Sequence, residues 1–588
     1  MKYFPYTPTK EQISLMNFVS DHTNQKMCVD ASTGFGKTPS ILASLLPLRR
    51  RILWAVRTGN ESDRPIEELG AINKKNKKNF FGISYRGKKD MCMLARDRGL
   101  ELDYDSASFL CRKKIQNCPY YKNLKTLSLS VDSPLIYPEI INISKREKVC
   151  PYYLQRKLLP YAMVIGLSYN YILGDAGRSL KGLAPFKGSF LVVDEAHNLE
   201  QVCLSLNSIS MTSRGVERAI DELERMNGND DGVLSLLLDQ MYQIEDETEV
   251  DMESLLSYLN IRESYEDFME YGNMVRDEKM SRGEVPRSSL FHVGQFFEES
   301  FKKYREEGVI FIASSGDKGS RINLWDMRTR DLLKDRWKEF EGCIFCSGTL
   351  APISGFTDTI GLEDYAEKSF ILSIKKENIR AYITKGISTS GMTLSREMSE
   401  RYAEAIGNFL DMRKNSAIFC SSYRILETLM LNGLEDSLRD RGIKSFVEHR
   451  GMSGDESRRM LEDFKGAKSS CLIANAQGRF AEGADFPGEE LEAIFIAGIP
   501  FERMTLKTKL YIEYFMSLYG REKGRYYAYT VPAMRKVSQS MGRALRSFDD
   551  KATIVCGDER YSKPQFFNLL PDYFKSNVKM CRFDQPFL

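Results

Sequence analysis

Short apolar runs alternate with amphipathic segments along most of the 588-residue chain. Runs rich in β-branched and aromatic residues predict buried strands, whereas apolar residues that recur every three to four positions predict helices. Because strands that alternate with helices are typical of a parallel sheet, we predict an α/β fold with two such domains. The strand-like runs are "ILWAV", "LVVDEAHNLE", "EGCIFCSGTL", "NSAIFCSSY", "KSSCLIANAQGRF", "LEAIFIAGIPF" and "KATIVCGDER".

Two stretches interrupt the first of these domains. One carries four cysteines with little periodicity, and the other has helical spacing around an acidic run, "EDETEVDME", that we interpret as a solvated loop or helix face. The predicted division is a first α/β domain at 1–80, 161–208 and 306–356, a cysteine insert at 81–160, a helical insert at 209–305 and a second α/β domain at 357–588.

Composition and charge narrow the class of protein only slightly. Apolar residues make up 42% of the chain and charged residues 28%, which is ordinary for a globular protein. The net charge is only +3, so a nucleic-acid surface must be a local patch. The N-terminal "MKYFPYTPTKEQ" has no apolar stretch typical of a secretory signal, and no long apolar run predicts a membrane span. We therefore expect a cytoplasmic protein with reduced cysteines and no membrane partner.

The segment "DASTGFGKT" predicts a phosphate-binding loop. It follows an apolar run and opens a helix, whose N-terminal N–H groups can cradle phosphates. We expect Lys37 to reach the β- and γ-phosphates of ATP and the Thr38 hydroxyl to bind Mg²⁺. Gly34 and Gly36 permit the tight loop, while Ala31 stands where the pattern has its first glycine. The alternative is a glycine-containing turn that binds nothing.

The segment "LVVDEAHNLE" places an acidic pair at the end of a buried strand. We expect Asp194 to hold Mg²⁺ and Glu195 to orient and deprotonate the attacking water. His197 is either a packed histidine or a link between the nucleotide and the second domain.

The segment "SQSMGRALR" predicts one helix on which Gln539, Arg543 and Arg546 share a face, because residues three and four positions apart are neighbours. An ordinary salt-bridged surface would look the same in isolation. Opposite a phosphate-binding loop, these residues can instead contact the nucleotide, with the arginines stabilising charge on the transferring phosphoryl group as arginine fingers.

Six motifs occur in the order found in superfamily 2 helicases, namely "DASTGFGKT", "AVRTGNE", "DEAH", "SGTL", "GRFAEGADF" and "QSMGRALR". Together with the four cysteines before "DEAH", they resemble the XPD (xeroderma pigmentosum group D) family of iron–sulfur DNA helicases over nearly the whole chain. The length is similar to that of the minimal archaeal members. The resemblance implies two RecA-like motor domains, with an iron–sulfur domain and a helical arch domain inserted in the first.

The resemblance also implies an activity. The expected function is an ATP-dependent DNA helicase that moves 5′→3′ on single-stranded DNA and separates duplexes in DNA repair. The expected cofactors are ATP, Mg²⁺ and a four-iron four-sulfur cluster, and the expected partners are single-stranded DNA and DNA forks, bound by a monomer. The nucleotide chemistry is common to both directions of movement, so the polarity is implied by the resemblance alone.

The four cysteines of the first insert, two of them in the repeated unit "CPYY", are separated by 19, 7 and 32 residues. Structural zinc sites usually bring ligands in close pairs, which this spacing lacks, so zinc is the weaker alternative. The resemblance implies that the cluster ligands are Cys92, Cys111, Cys118 and Cys150.

Cys343 and Cys346 form a CxxC on a predicted strand, where positions three apart face opposite sides, and we interpret them as core.

The remaining site residues are assigned by resemblance. Tyr6 and Gln12 resemble an adenine-contacting element. The expected DNA contacts, which combine basic side chains with an aromatic platform for a base, are Arg57, Thr58, Tyr85, Lys88 and Lys89. The residues expected to link nucleotide state to DNA grip are His197, Ser347, Thr349, Glu482, Gly483 and Asp485.

Three alternatives fit parts of the same pattern. Another iron–sulfur helicase, DinG-like or FANCJ-like, would change the pathway and keep the chemistry. A DNA-stimulated ATPase that translocates or remodels without separating strands would carry the same motor motifs. A zinc-bearing nucleic-acid-binding module with an idle motor is disfavoured by the complete "DEAH" and the arginine pair.

Overall fold

The structure is a computed structural model, and it describes residues 2–32, 34–127, 131, 133–174, 176–230, 232–261, 264–316, 319–371, 375–391, 394–482, 484, 486, 488–545 and 550–587. Two seven-stranded parallel sheets and one four-stranded antiparallel sheet organise these residues. We call the domains around the two parallel sheets the first and second motor domains. Their presence confirms the predicted α/β fold with two parallel-sheet domains.

The first motor domain is built on strands whose central members are apolar throughout, because helices cover both faces of a parallel sheet. Across the sheet, the strands are β11 (Tyr365–Phe370), β1 (Lys26–Ala31), β10 (Gly342–Ser347), β5 (Phe190–Asp194), β2 (Ile52–Val56), β4 (Val164–Ser168) and β3 (Gly82–Ser84). The helices are α1 (Lys10–Asp21), α2 (Lys37–Leu45), α3 (Arg64–Asn76), α10 (Asn170–Leu173), α11 (Ala176–Lys181), α12 (Leu199–Asn207), α18 (Thr329–Leu333) and α19 (Ile353–Ile360).

The second motor domain has the same kind of sheet. Across it, the strands are β14 (Ser445–Val447), β15 (Cys471–Asn475), β13 (Ser416–Cys420), β16 (Ala493–Ala497), β17 (Ala552–Gly557), β12 (Ile379–Lys385) and β18 (Val578–Arg582). The helices are α20 (Arg396–Leu410), α21 (Tyr423–Leu429), α22 (Glu435–Asp440), α23 (Gly454–Lys465), α24 (Arg479–Glu482), α25 (Leu506–Tyr519), α26 (Arg521–Arg525), α27 (Val531–Met541), α28 (Pro564–Phe567) and α29 (Asp572–Lys575).

The two inserts differ in construction. The cysteine insert contains the helices α4 (Lys88–Met91), α5 (Met93–Asp97), α6 (Tyr104–Lys114), α7 (Pro119–Leu124), α8 (Tyr137–Glu147) and α9 (Pro151–Leu158). The helical insert contains α13 (Ser213–Arg225), α14 (Val233–Tyr242), α15 (Met252–Leu259), α16 (Ser264–Ser281) and α17 (Ser289–Lys303). These five helices pack on the antiparallel sheet, whose strands in order are β6 (Ile209–Thr212), β9 (Arg321–Asp326), β8 (Val309–Ser314) and β7 (Thr248–Glu249).

Two strand assignments differ from the sequence-based division. The helical insert was predicted to end at residue 305, but β8 and β9 pair with its strands, so we define the arch unit as residues 209–326. The first motor domain was predicted to end at residue 356, but β11 pairs with β1 along six residues of its edge. Both differences arise because strand pairing joins segments that are distant in sequence.

The order of the strands brings the predicted nucleotide motifs to one edge of the first sheet, since the carboxyl ends of parallel strands meet there. β10 lies between β1 and β5, with Asp30 opposite Ser347 and Cys346 opposite Asp194.

Cys343 and Cys346 belong to apolar clusters on opposite sides of this sheet, which confirms that they are core residues. Of the helices in the described ranges, none has the length and apolarity needed to cross a membrane.

Candidate functional site

The phosphate-binding loop connects β1 to α2. Gly34 and Gly36 both have a φ of 80°, a left-handed conformation that costs glycine little, and α2 begins at Lys37. The Lys37 ammonium donates to the main-chain carbonyl of Ala31 at 2.8 Å and lies 3.9 Å from Glu195 Oε1. Lys37 is only 8% exposed, so it is held inside the loop at the place where a phosphate would meet the helix N-terminus.

The segment before the loop supports it from one side. The Gln12 amide donates to the main-chain carbonyl of Phe35 at 2.9 Å, and a Cβ at Gly36 would lie 2.6 Å from Gln12 Nε2. Tyr6 is 54% exposed, and its hydroxyl donates to Glu68 at 3.0 Å. The Gln12 amide therefore fixes the loop, while the Tyr6 ring is exposed.

The acidic pair follows β5 directly, and Glu195 turns the chain with a φ of 50°. Burial and the neighbouring Glu195 charge raise the pKa of Asp194, so a cation beside it would favour the ionised form, which suits a Mg²⁺ ligand. Burial also opposes ionisation of Glu195, but the Lys37 ammonium and a hydrogen bond from Ser347 contribute to a net lowering of its pKa. The two carboxyl groups are thus pushed towards different protonation states, as distinct chemical roles require.

His197 joins the two motor domains. The Gln539 amide Nε2 lies 2.7 Å from His197 Nε2 and donates to it, so the imidazole proton is assigned to Nδ1. That nitrogen lies 2.6 Å from Ser347 Oγ and 3.2 Å from Thr349 Oγ1, and Ser347 Oγ donates to Glu195 Oε2 at 3.3 Å. Burial lowers the pKa of His197 to about 4, so the ring is neutral near pH 7. Four of the residues predicted for nucleotide contact or coupling thus form one chain of hydrogen bonds to the acidic pair.

The predicted helix that carries Gln539 ends earlier than expected. α27 ends at Met541, and Arg543 lies in a 3₁₀ turn formed by Gly542–Ala544. Glycine is a poor helix former, which favours a helix end at this point. The prediction that Gln539 and Arg543 share one α-helix is therefore wrong, and Arg546 lies outside the described residues.

Arg543 is held by its own domain in this conformation. Its guanidinium donates to the main-chain carbonyls of Ala481 at 2.7 Å and Ala484 at 2.9 Å. Its charge also contributes to the lowered pKa of Glu195, on the other side of the cleft between the two motor domains. Glu482 ends α24, while its side chain and two of the predicted coupling residues lie outside the described part of the chain, namely Gly483 and Asp485.

Arg535 is a cleft residue that the sequence analysis missed. It lines a cavity of about 180 Å³ between the motor domains, together with Asp30 and Thr349. Its Nε is buried and has no hydrogen-bond partner among the described residues. The available signal was its position four residues before Gln539, on the same face of α27.

Three of the four insert cysteines stand immediately before a helix. Cys92 precedes α5, Cys118 precedes α7 and Cys150 precedes α9, with Pro119 and Pro151 as first helical residues. Proline suits this position because its missing N–H would be unpaired there in any case. Burial raises the pKa of Cys92 and Cys150, and hydrogen bonds from main-chain N–H groups of the following turn partly offset this rise. The repeated "CPYY" is thus a helix start used twice.

The four thiols lie close enough to interact electrostatically. Burial, and to a smaller extent Cys111 and Cys118, raises the pKa of both Cys92 and Cys150. All four are free thiols. Within the described ranges, no three His, Cys, Asp or Glu side chains are arranged to hold a metal ion. The type and number of donors fit a cluster with one thiolate for each iron.

The residues predicted to contact DNA are divided between surface and core. Arg57 and Thr58 are exposed directly after β2, and Lys88 and Lys89 open α4 at the start of the cysteine insert. Tyr85 is only 1% exposed, because aromatic and aliphatic neighbours cover its ring. The prediction that Tyr85 stacks on a base is therefore wrong for this structure.

Two family models match the chain. The model DEAD_2 matches residues 54–216, which include the cysteine insert and the acidic pair, and a helicase C-terminal domain model matches residues 406–577. Together they cover four of the six helicase-like motifs, leaving out the phosphate-binding loop and the "SGTL" that begins at the end of β10.

Relatives and solved structures align along nearly the whole chain. The ATP-dependent DNA helicase XPD of Sulfolobus acidocaldarius is 24% identical over 95% of both chains. The general transcription and DNA repair factor IIH helicase subunit XPD/RAD3 of Saccharomyces cerevisiae is 21% identical over 91% of this chain and 83% of its own. A solved XPD helicase covers 98% of this chain and 100% of its own at 22% identity, with a TM-score of 0.73, so the fold is that of two RecA-like domains. By its family models and its aligned relatives, the chain belongs to the XPD family of helicases.

Proposed function

We propose that the protein is an ATP-dependent DNA helicase that translocates 5′→3′ on single-stranded DNA and separates duplexes, acting as a monomer in the cytoplasm. The observation that carries the proposal is the hydrogen-bond chain from Glu195 through Ser347 and His197 to Gln539, which links the acidic pair to the second motor domain. The names of the two relatives described above, a DNA helicase and a DNA repair factor subunit, support the substrate and a role in repair.

Before a nucleotide binds, the Lys37 ammonium lies beside the Glu195 carboxylate. A bound triphosphate competes for the Lys37 ammonium, which leaves the Glu195 carboxylate free to orient a water and accept its proton. Mg²⁺, held by Thr38 and Asp194, would neutralise charge on the phosphates. Arg543, which now donates to two main-chain carbonyls, turns to the phosphoryl oxygens as the cleft closes.

Closing and reopening of the cleft move the second motor domain along one strand. His197 and Ser347 transmit the state of Glu195 because their hydrogen bonds must rearrange when the acidic pair engages the nucleotide. Arg57 and Lys88 hold the DNA backbone without reading bases, so binding should weaken steeply as the salt concentration rises.

The cysteine insert is proposed to hold a four-iron four-sulfur cluster. Its proposed ligands are Cys92, Cys111, Cys118 and Cys150. A cluster bound there would cross-link four segments of the insert. The four cysteines are free thiols, and the described elements of the insert are mostly helices. The resulting rigid body, together with the arch unit, would admit one strand and exclude the other.

The test is ATP-dependent strand separation on two duplexes, one with a 5′ and one with a 3′ single-stranded tail, with Lys37→Ala as the inactive control. Opening of only the 5′-tailed duplex, absent in the variant, supports the proposal. Opening of only the 3′-tailed duplex leaves a helicase of the wrong polarity. ATP hydrolysis stimulated by single strands, with neither duplex opened, would make the protein a translocase or remodeller.

A further inference from the structure

Helix α25 of the second motor domain meets two other parts of the molecule at Tyr511. The Tyr511 hydroxyl donates to the carboxylate of Glu200 on α12 of the first motor domain. The ring of Tyr511 packs on Trp325 of β9 in the arch unit, with ring centroids 5.2 Å apart. One side chain thus touches both the first motor domain and the arch unit while belonging to the second motor domain.

Glu200 stands close to the nucleotide machinery along the chain. α12 begins at Leu199, immediately after the segment that holds Glu195 and His197. Glu200 thus lies in the first turn of α12, five residues after Glu195. Burial raises the pKa of Glu200, while the Tyr511 hydroxyl stabilises its charged form. A hydrogen bond to a charged group in such a site is stronger than one between neutral groups.

The arch unit grips the start of α25 through polar contacts. Glu247 Oε2 accepts the main-chain N–H of Leu506, the first residue of the helix, at 2.6 Å. That N–H has no partner inside the helix, and a carboxylate is favoured at a helix N-terminus. Lys507 places its ammonium 4.3 Å from the ring centroid of Trp325, in a cation–π contact.

The same interface is closely packed. Trp325 clusters with Ile312 of the arch unit, with Met327 directly after it and with Leu510 of α25. Gly308, which precedes β8, has a φ of 86°, and a Cβ there would lie 2.7 Å from the Tyr514 ring. The backbone of the arch unit therefore approaches α25 more closely than a larger residue would allow. Because this interface is closely packed, we expect motion of α25 relative to the first motor domain to move the part of the arch unit around Trp325 and Gly308 as well.

We propose that Glu200 and Tyr511 are positioning residues that carry the motion of the nucleotide cleft to the arch unit, and that strand separation needs them while ATP hydrolysis does not. The inference rests on the proposed helicase function. Among the described residues, neither has a hydrogen bond or ion pair to the phosphate-binding loop or the acidic pair. Both share the one described hydrogen bond between α12 and α25.

The test compares Tyr511→Phe and Glu200→Gln with a matched control, Tyr242→Phe. Tyr242 also donates its hydroxyl to a carboxylate, that of Glu217, but on the exposed surface of the arch unit. The measurements are kcat and KM of ATP hydrolysis with single-stranded DNA, and the number of base pairs opened per ATP. For the two junction variants, we expect hydrolysis within about twofold of wild type and a yield per ATP lower by about tenfold, the order set by losing one charge-assisted hydrogen bond. The control should change neither quantity.

Tryptophan fluorescence supplies a second measurement that does not need duplex opening. The chain has three tryptophans. Trp54 and Trp337 are buried in the first motor domain, and Trp325 is buried at the contact between the arch unit and α25, which we call the junction. Binding of a non-hydrolysable ATP analogue should change the emission of wild type, and the change should be lost in Trp325→Phe and reduced in Tyr511→Phe.

The outcomes separate this inference from the proposed function. Equal losses of hydrolysis and unwinding in the junction variants would assign Glu200 and Tyr511 to the cleft itself and overturn the inference, as would an unchanged yield per ATP. If wild type hydrolyses ATP but opens no duplex, the proposed function fails, and the fluorescence change then decides whether the cleft and the arch unit are linked.

Discussion

The amide of Gln539 donates to His197 Nε2 at 2.7 Å, across the cleft between the two motor domains. The bond can form only while that ring nitrogen carries no proton, and burial ensures this by lowering the pKa of His197 to about 4. The other ring nitrogen faces Ser347, which in turn bonds to Glu195. The pair therefore connects the group proposed to activate water with the domain proposed to move.

Replacing Gln539 with alanine should weaken the coupling between the domains. Because His197 Nε2 would lose its donor, we expect the stimulation of ATP hydrolysis by single-stranded DNA to fall about tenfold, while hydrolysis without DNA changes little. Steady-state ATPase rates with and without DNA measure both effects. The control is Ser538→Ala, since among the described residues the Ser538 hydroxyl donates to the main-chain carbonyl of Leu569 alone, at a long 3.5 Å and within its own domain. Equal losses in the two variants would contradict a specific role for Gln539.

Protonation of His197 should destabilise the protein in a defined pH range. Its pKa is about 4 in the folded protein and near 6.5 when unperturbed, so the folded state resists a proton that the unfolded state accepts. The stabilisation is complete above pH 6.5 and is lost as the pH falls from 6.5 to about 4. The loss amounts to at most about 3 kcal/mol. The measurement compares the pH dependence of the unfolding free energy in wild type and His197→Gln, which cannot titrate there; parallel curves would show that His197 is not buried in its neutral form.

Much of the fold was predictable because parallel strands have apolar residues on both faces. The run "ILWAV" coincides with β2, and "SAIFC", "AIFIA" and "ATIVCG" coincide with β13, β16 and β17. β11 was missed because its sequence, "YAEKSF", is largely polar, as the exposed edge of a sheet allows. β8 and β9 were assigned to the wrong domain because only their pairing with β6 and β7 reveals where they belong.

The site was less predictable, because its contacts join distant parts of the chain. Lys37 and Glu195 were identified from local patterns, and they lie 3.9 Å apart. Local patterns do not reveal burial, so Tyr85 was assigned to the surface although its ring is in the core. They also do not reveal that Arg535 faces the cleft, since a lone basic residue on a helix is usually solvated.

Replacing Cys111 with serine should separate the role of the cluster from that of the motor. Serine cannot replace a thiolate ligand in a cluster that needs one thiolate for each iron, so we expect loss of iron and of strand separation. ATP hydrolysis should remain within about threefold of wild type, because Cys111 lies on α6 of the cysteine insert and outside the nucleotide cleft. Iron content, unwinding and ATPase rates are measured on the same preparation.

The control for this variant is Cys581→Ser, on β18 of the second motor domain. It should keep its iron and its unwinding activity. Unwinding that persists in an iron-free Cys111→Ser protein would contradict a structural role for the cluster, and zinc in place of iron in wild type would contradict the cluster itself.

Arg276 should hold the two inserts together. Its side chain is 1% exposed, lies between the rings of Phe109 and Phe291 at 4.0 and 4.5 Å, and pairs with Asp105 at 2.5 Å. These contacts join α16 of the arch unit to α6 of the cysteine insert. Arg276→Ala removes a desolvated cation–π contact and leaves a cavity, so we expect the inserts to lose about 2–4 kcal/mol of stability. Strand separation should fall while ATP hydrolysis persists, because the cleft is untouched.

The matched control is Arg282→Ala, at the position directly after the same helix. Arg282 forms an exposed ion pair with Glu278 one turn away, and such pairs contribute less than about 1 kcal/mol. Thermal unfolding and limited proteolysis of both variants measure the difference, since loosened inserts are cleaved before the motor domains. If the two variants unfold and are cleaved alike, the junction between the inserts does not depend on Arg276. If Arg276→Ala alone loosens the inserts but still separates strands, the gap between them does not have to stay closed during unwinding.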